Sequence, residues 1–166
     1  MKKQKIIIFD GCDRTGKTTI SKALSEKLNI PLFKRIDINK NYDYLIDIIY
    51  CGEFYTQLLE QTKYSIIFDR LYPSELVYSH VLNRLSSFEK IIDIDSRFAK
   101  MGAKIIITYK DKDKFIKDKI IPKELFLEIN NKFIKFSKMS ACNILLLNTS
   151  DENLEKQLEK IIKFIS

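Results

Sequence analysis

The sequence predicts a doubly wound α/β domain, a sheet of five parallel strands with helices on both faces. Three observations carry this reading. Five short apolar runs, Lys5 to Asp10, Pro31 to Ile36, Ser65 to Asp69, Lys104 to Tyr109 and Asn143 to Asn148, lack the strict alternation of a half-solvated strand, as strands covered on both faces do. Segments with helical spacing lie between them, so each strand is expected to return through a right-handed crossover to a parallel neighbour. A glycine-bearing turn, Gly11 to Gly16, joins the first strand directly to the first helix.

The helices follow from their apolar faces and end signals. Thr18 to Leu28 places Ile20, Ala23, Leu24 and Leu28 on one side, and Asn29 closes it ahead of Pro31. Pro73 suits the first position of a helix through about Asn83, and Ser86 or Ser87 can cap another that runs to Met101 and stops at Gly102. Pro122 opens a helix to about Ser137. Asp151 is expected to begin a terminal helix that aligns Leu154, Leu158, Ile161, Ile162 and Ile165.

At 166 residues, with 45% hydrophobic and 31% charged, the chain is long and apolar enough for one globular domain over 1–166, and no linker, repeat or low-complexity tract divides it. The net charge of +7 comes mostly from lysines spread along the whole chain. Such a field serves an enzyme that handles two polyanions without marking a nucleic-acid surface. Cys12, Cys51 and Cys142 are odd in number and lack metal-type spacing, so neither disulfides nor zinc is expected and the compartment reads as reducing. Met1-Lys2-Lys3-Gln4-Lys5 runs straight into the first strand, without a signal-type or membrane-spanning apolar stretch. A soluble cytoplasmic protein is expected.

The chemistry concentrates at the ends of the first and third strands. Gly11 to Thr18 reads GCDRTGKT and fits G-x-x-x-x-G-K-[ST] between a strand and a helix, the pattern of a phosphate-binding loop. Backbone N–H groups along Gly11, Cys12, Asp13, Arg14, Thr15 and Gly16 must converge on phosphate, so glycines occupy the tight points. The helix that follows, from Lys17 through Thr18 and Thr19, aims its N-terminal N–H groups and dipole at the same anion. Lys17 adds a point charge for the terminal phosphates of ATP, and Thr18 offers a hydroxyl to Mg²⁺. The third strand delivers Asp69 to the same sheet edge, placed to hold Mg²⁺ directly or through water, and Arg70 beside it presents a fork suited to phosphate.

Together, Gly11 to Thr19 and the spacing Asp69-Arg70, Ser74, Tyr78, written D-R-x-x-x-S-x-x-x-Y, resemble thymidylate kinase within the P-loop nucleoside and nucleotide kinases. The resemblance implies transfer of the ATP γ-phosphoryl group to a deoxynucleoside monophosphate, dTMP first among them, with Mg²⁺ as cofactor. It implies catalytic roles for Arg14, Lys17, Asp69 and Arg70. On the acceptor side, Asp13 would meet the sugar hydroxyl, and Arg70 the phosphate. Phe33 and Arg35, with Lys34 between them, would form the phosphate-binding turn, and Tyr78 would stand where a ribose 2′-hydroxyl would go. The lid is expected at about 110–121, where lysines occur without arginine, so Arg14 would supply the arginine that some family members keep in the lid. Asn148-Thr149-Ser150 occupy the adenine loop, while Tyr42, Tyr44, Tyr50, Phe54 and Tyr55 are all available to stack on the base. A homodimer through the helix bearing Leu76, Val77 and Val81 is also implied. Two alternatives stand beside this: a deoxynucleoside kinase, with Asp13 or Asp69 taking the proton of a 5′-hydroxyl, and a non-catalytic nucleotide-binding module.

Overall fold

The structure is a computed structural model that describes residues 4–34, 44–114, 122–150 and 153–166, with the backbone alone for 44–51. Its strands are β1 (Ile6–Gly11), β2 (Leu32–Lys34), β3 (Ile66–Asp69), β4 (Lys104–Tyr109) and β5 (Asn143–Asn148). They form one parallel sheet in the order β2-β3-β1-β4-β5. The helices are α1 (Lys17–Leu28), α2 (Tyr44–Thr62), α3 (Tyr72–Val81), α4 (Phe88–Lys100), α5 (Lys123–Ser137) and α6 (Leu154–Ile165). Order reverses around β1, which lies between β3 and β4, and a doubly wound sheet opens its ligand crevice at such a point.

Alternate side chains of each strand feed two cores. Ile6, Ile8, Phe68, Ile105 and Ile107 pack with Leu59 of α2, Val77 of α3, Ile91, Ile94 and Phe98 of α4, and Phe126, Ile129, Phe133 and Phe136 of α5. On the opposite face Ile7, Phe9, Ile67 and Ile106 pack against Ile20 and Leu24 of α1 and Leu158, Ile161 and Ile165 of α6. Double-sided burial explains why these strands are continuous apolar runs.

Most end signals act as expected. Asn29 closes α1 in the left-handed conformation, Pro73 sits in the first turn of α3, Ser87 precedes α4, and Gly102 follows it at φ 76°. Two bounds differ. α3 ends at Val81 rather than near Asn83, where the chain turns through a left-handed Asn83. α6 begins at Leu154, because Asn153 rather than Asp151 caps it by accepting from the Lys156 N–H; Asp151 lies outside the described residues. The sequence pattern did not single out α2. Its Gly52 lets it approach α4, since a Cβ there would stand 2.7 Å from Ile94 Cδ1, and Arg97 of α4 grips Glu60 of α2 with two hydrogen bonds of 3.1 and 2.8 Å. Val77 of α3 is buried in the protomer's own core, and Leu76 and Val81 pack against it while remaining partly exposed. Among the described residues no helix is long and apolar enough to cross a membrane.

Candidate active site

β1 ends in Asp10 and Gly11, and the turn Cys12 to Gly16 leads into α1. Gly11 has φ 132°, and any Cβ there would collide with the Thr108 carbonyl oxygen of β4. Gly16, at φ 86°, occupies the N-cap of α1, so the first helical N–H groups carry no side-chain cap. An uncapped helix start of this kind, with its dipole, can hold an anion. The turn is braced from behind. Thr15 Oγ1 donates to the Cys12 carbonyl at 2.7 Å and lies 2.7 Å from Thr108 Oγ1, while Thr149 Oγ1 donates to the Thr15 carbonyl at 2.9 Å. Thr149, in the expected adenine loop, therefore anchors the loop after β5 to the turn between β1 and α1.

The Lys17 ammonium donates to the Cys12 carbonyl. Burial, and then the Arg70 charge, push its pKa down from the usual 10.5 to about 8. The Cys12 thiol is raised to about 11 by burial, so it is not a nucleophile at neutral pH. Thr18 Oγ1 donates to Asp69 Oδ2 at 2.7 Å, which brings the hydroxyl and the carboxylate together at the end of β3. Two hard oxygen donors side by side at the start of α1 fit Mg²⁺, which takes one or two protein oxygens and completes its shell with phosphate and water.

Arg70 follows Asp69 in the left-handed region at φ 75°, with its N–H bonded to the Phe9 carbonyl. Strain of this kind at a sheet edge is held only where surrounding contacts fix it. Here they are dense. Its guanidinium donates to Ser74 Oγ at 2.9 Å and to the Gly11 carbonyl at 3.3 Å, forms an ion pair with Asp13, and lies 5.5 Å from the centroid of the Tyr78 ring. The Tyr78 hydroxyl donates to the other Asp13 oxygen at 3.2 Å, and burial raises its pKa. Asp13, Arg70, Ser74 and Tyr78 thus form one connected group across the mouth of the turn.

Asp10 is the buried anchor of this group, and its role was not anticipated. Its carboxylate accepts from the Gly11 N–H at 2.9 Å, the Ser74 N–H at 2.9 Å and Ser74 Oγ at 2.5 Å. No side chain of α3 caps its own N-terminus, so Asp10 caps it from another strand. Burial outweighs the nearby Arg70 charge and these donors in raising the Asp10 pKa. The signal in the sequence is a carboxylate ending the run Ile6-Ile7-Ile8-Phe9.

These groups open into a cavity of about 590 Å³ lined by Asp13, Arg14, Gly16, Lys17, Thr18, Thr19, Lys34, Asp69, Arg70, Ser74, Glu75, Tyr78, Leu82 and Arg84. Five cationic side chains face three carboxylates there, which suits an anionic ligand. Arg14 lines the cavity from an exposed left-handed position, φ 60°. Of the expected phosphate-binding turn, Lys34 faces the cavity, whereas Phe33 does not line it and packs against Tyr55 and Phe68 with ring centroids 5.0 and 5.9 Å away. Adjacent strand residues point to opposite sides, which is why one of the pair turns away. Arg35 and Tyr42 lie outside the described residues, as does 115–121 of the expected lid, and for Tyr44 and Tyr50 only the backbone is described. Phe54 and Tyr55 meet edge to face in α2, and neither lines the cavity. Glu75, Leu82 and Arg84 were not anticipated as cavity residues.

No protein-family model matches the chain, and no curated protein matches it. Solved structures match through their folds. The YorR protein from Bacillus subtilis, crystallised in complex with phosphorylated GDP, superposes with a TM-score of 0.73 at 20% identity, over 96% of this chain and 95% of that one. Thymidylate kinase from Ehrlichia chaffeensis gives 0.64 at 16% identity, over 98% and 100% of the two chains. Deoxyadenosine kinase from M. mycoides, with the products dCMP and dCDP bound, gives 0.62 at 20% identity, over 96% and 97%. The likeness is one of fold, and the fold is that of the P-loop nucleotide kinases.

Proposed function

We propose that this chain is a phosphotransferase that moves the γ-phosphoryl group of ATP to a deoxynucleoside monophosphate. The observation that carries the reading is the convergence on one cavity of a phosphate-binding turn with Lys17, the Thr18–Asp69 oxygen pair and the Arg70 fork. The folds it resembles include a thymidylate kinase and a deoxyadenosine kinase, which supports nucleotide phosphorylation as the class.

The division of labour follows from the groups present. Lys17 and the N-terminal N–H groups of α1 hold the donor's terminal phosphates, with Gly11 and Gly16 giving the backbone room to do so. Thr18 and Asp69 would hold Mg²⁺, which supplies charge neutralisation at the phosphates when bound. Arg70 holds the acceptor phosphate, Arg14 reaches the transferring group, and Lys34, with Arg35 beyond it, adds charge at the acceptor. Asp13 meets the sugar hydroxyl and Tyr78 fills the place of a 2′-hydroxyl. A monophosphate already presents an ionised oxygen as nucleophile, so the site needs positioning and charge more than a base. The sequence resemblance brings dTMP forward as acceptor. A cytoplasmic setting and a homodimer belong to the same reading. Partly exposed Leu76 and Val81 and exposed Leu82, Leu85 and Phe88 supply apolar surface for it near α3, and a light-scattering mass of a single chain at micromolar concentration rejects the dimer.

A coupled assay of ADP formation tests the reading directly, run with each deoxynucleoside monophosphate and its parent nucleoside. Turnover with monophosphates is expected. Turnover with nucleosides alone moves the assignment to a deoxynucleoside kinase, and ATP binding without transfer to either removes the enzyme.

A further inference from the structure

Asp10 lies behind the cavity rather than on its wall, and its carboxylate is wholly buried. A charge in such a place is held only if its oxygens are well served, and here both are. Oδ1 accepts from the Gly11 N–H at 2.9 Å and from Ser74 Oγ at 2.5 Å, while Oδ2 accepts from the Ser74 N–H at 2.9 Å and the Leu71 N–H at 3.5 Å. These partners belong to two different segments. Gly11 opens the turn that the proposed reaction assigns to the donor, whereas Leu71 and Ser74 begin α3, which follows Arg70 and bears Tyr78.

The same oxygen also reaches the acceptor fork. Ser74 Oγ gives its one hydrogen to Asp10 Oδ1 and accepts from Arg70 Nη1 at 2.9 Å, and Nη1 itself stands 3.8 Å from Asp10 Oδ1. The hydroxyl thereby relays the position of the carboxylate to the guanidinium. Every group around Asp10 is a donor, so an acceptor-only side chain suits the place and an amide would set its own N–H groups against others. The two segments do not depend on it equally. The turn has further braces in Thr15, which donates to the Cys12 carbonyl, and Thr149, which donates to the Thr15 carbonyl. The start of α3 has no side-chain cap of its own. Resting on the reading of this cavity as a site where a donor at the turn meets an acceptor at Arg70, we infer that Asp10 is a positioning residue. Through Ser74 it sets the Arg70 fork and the start of α3 against the turn, and so places the acceptor relative to the donor while touching neither.

The test is calorimetric binding of ATP and, separately, of whichever of dTMP, dGMP, dAMP and dCMP the wild type binds most tightly, in wild type, Asp10→Asn, Ser74→Ala and the double variant. Steady-state ADP formation supplies kcat and both KM values. Asp10→Asn should weaken the monophosphate by about tenfold, the worth of one hydrogen bond to a charged group, and leave ATP within about twofold; kcat should fall with both substrates saturating. Ser74→Ala keeps the Ser74 N–H on Asp10 and removes only the relay, so it should show the same asymmetry. The second substitution should add little to the first, because both break one chain of contacts. Thermal unfolding identifies a misfolded variant, and if Asp10→Asn does not fold, Ser74→Ala decides. Equal loss for ATP and monophosphate in folded variants makes Asp10 merely structural and overturns the inference, as does an unaltered monophosphate affinity. If the wild type binds a monophosphate but transfers nothing to it, the kinase reading falls and the asymmetry of binding still decides the role of Asp10. If it binds none of the four, the acceptor site falls and takes the inference with it.

Discussion

Lys17→Met is expected to abolish phosphoryl transfer and at the same time to stabilise the ligand-free protein. The Lys17 side chain is buried at the start of α1, where solvent is lost and Arg70 adds a like charge. The fall of its pKa from 10.5 to about 8 corresponds to about 3 kcal/mol spent holding the ammonium in the folded chain at pH 7. Methionine keeps the length of the side chain without the charge. The substitution removes one donor from the Cys12 carbonyl, but Thr15 Oγ1 still serves that oxygen at 2.7 Å. A net gain of about 1 to 3 kcal/mol at pH 7 is therefore expected. The pH dependence has a definite sign. Below about pH 8 the lysine is protonated both folded and unfolded, so the whole penalty is present. Between about 8 and 10.5 the unfolded chain binds more protons than the folded one, so wild-type stability rises with pH from this source, and above 10.5 the penalty is gone. Urea unfolding followed by circular dichroism at pH 7 and pH 10, with wild type and variant side by side, reads the difference. A variant less stable than wild type at pH 7 refutes the electrostatic argument, and a folded variant with near-normal turnover refutes the role of Lys17 in transfer.

Three further substitutions probe the rest of the site. Arg14→Lys should lower kcat more than it raises KM for the acceptor, because a planar two-pronged contact with the transferring group is lost mainly in the transition state; an unchanged kcat moves that role elsewhere. Asp69→Asn keeps an oxygen for the Thr18 hydroxyl, so the fold should stand, while the Mg²⁺ concentration for half-maximal rate rises by about tenfold or more; an unaltered Mg²⁺ requirement excludes Asp69 as a ligand. Tyr78→Ala should erase about tenfold of discrimination between a deoxynucleotide and its ribonucleotide, since the ring then no longer denies a 2′-hydroxyl its space and partners; an unchanged ratio of kcat/KM values removes Tyr78 as the sugar gate.

What could be read from the sequence was what is local. Gly11, Gly16, Lys17 and Thr18 announce their turn because a phosphate cradle constrains consecutive residues, and Pro73, Gly102 and Pro122 mark helix ends through their own backbone geometry. What was missed depends on contacts between distant segments. Asp10 looks like the last residue of a strand until β1 and β3 lie side by side and bring Ser74 to it across a sequence separation of 64. α2 carries Gly52 and several β-branched and aromatic residues, poor helix formers taken alone, and its stability comes from lying against α4 at Ile94 and Arg97. In a strand of three residues the phase of the side chains is set by pairing with β3, so the sequence could name the Phe33-Lys34 pair but not which member faces the ligand.

The connected group at the mouth of the turn also bears on which acceptor the site is built for. Arg70 is paired with Asp13 and bonded to Ser74 and the Gly11 carbonyl, and Tyr78 is bonded to Asp13. A hydroxyl acceptor would need a carboxylate to take its proton, and Asp13 has one oxygen engaged by Arg70 and the other by Tyr78. Nothing in a neutral nucleoside would draw Arg70 away. A phosphate would, because it offers the guanidinium a stronger two-pronged partner than a half-exposed carboxylate. In the proposed reaction its arrival would release Asp13 to accept from the sugar hydroxyl and leave Tyr78 against the sugar. Recognition of the phosphate and recognition of the sugar are then a single exchange of partners, and an acceptor without a phosphate pays for breaking the Arg70–Asp13 pair without replacing it. On this ground the proposal of a monophosphate acceptor rests on a physical argument as well as on resemblance.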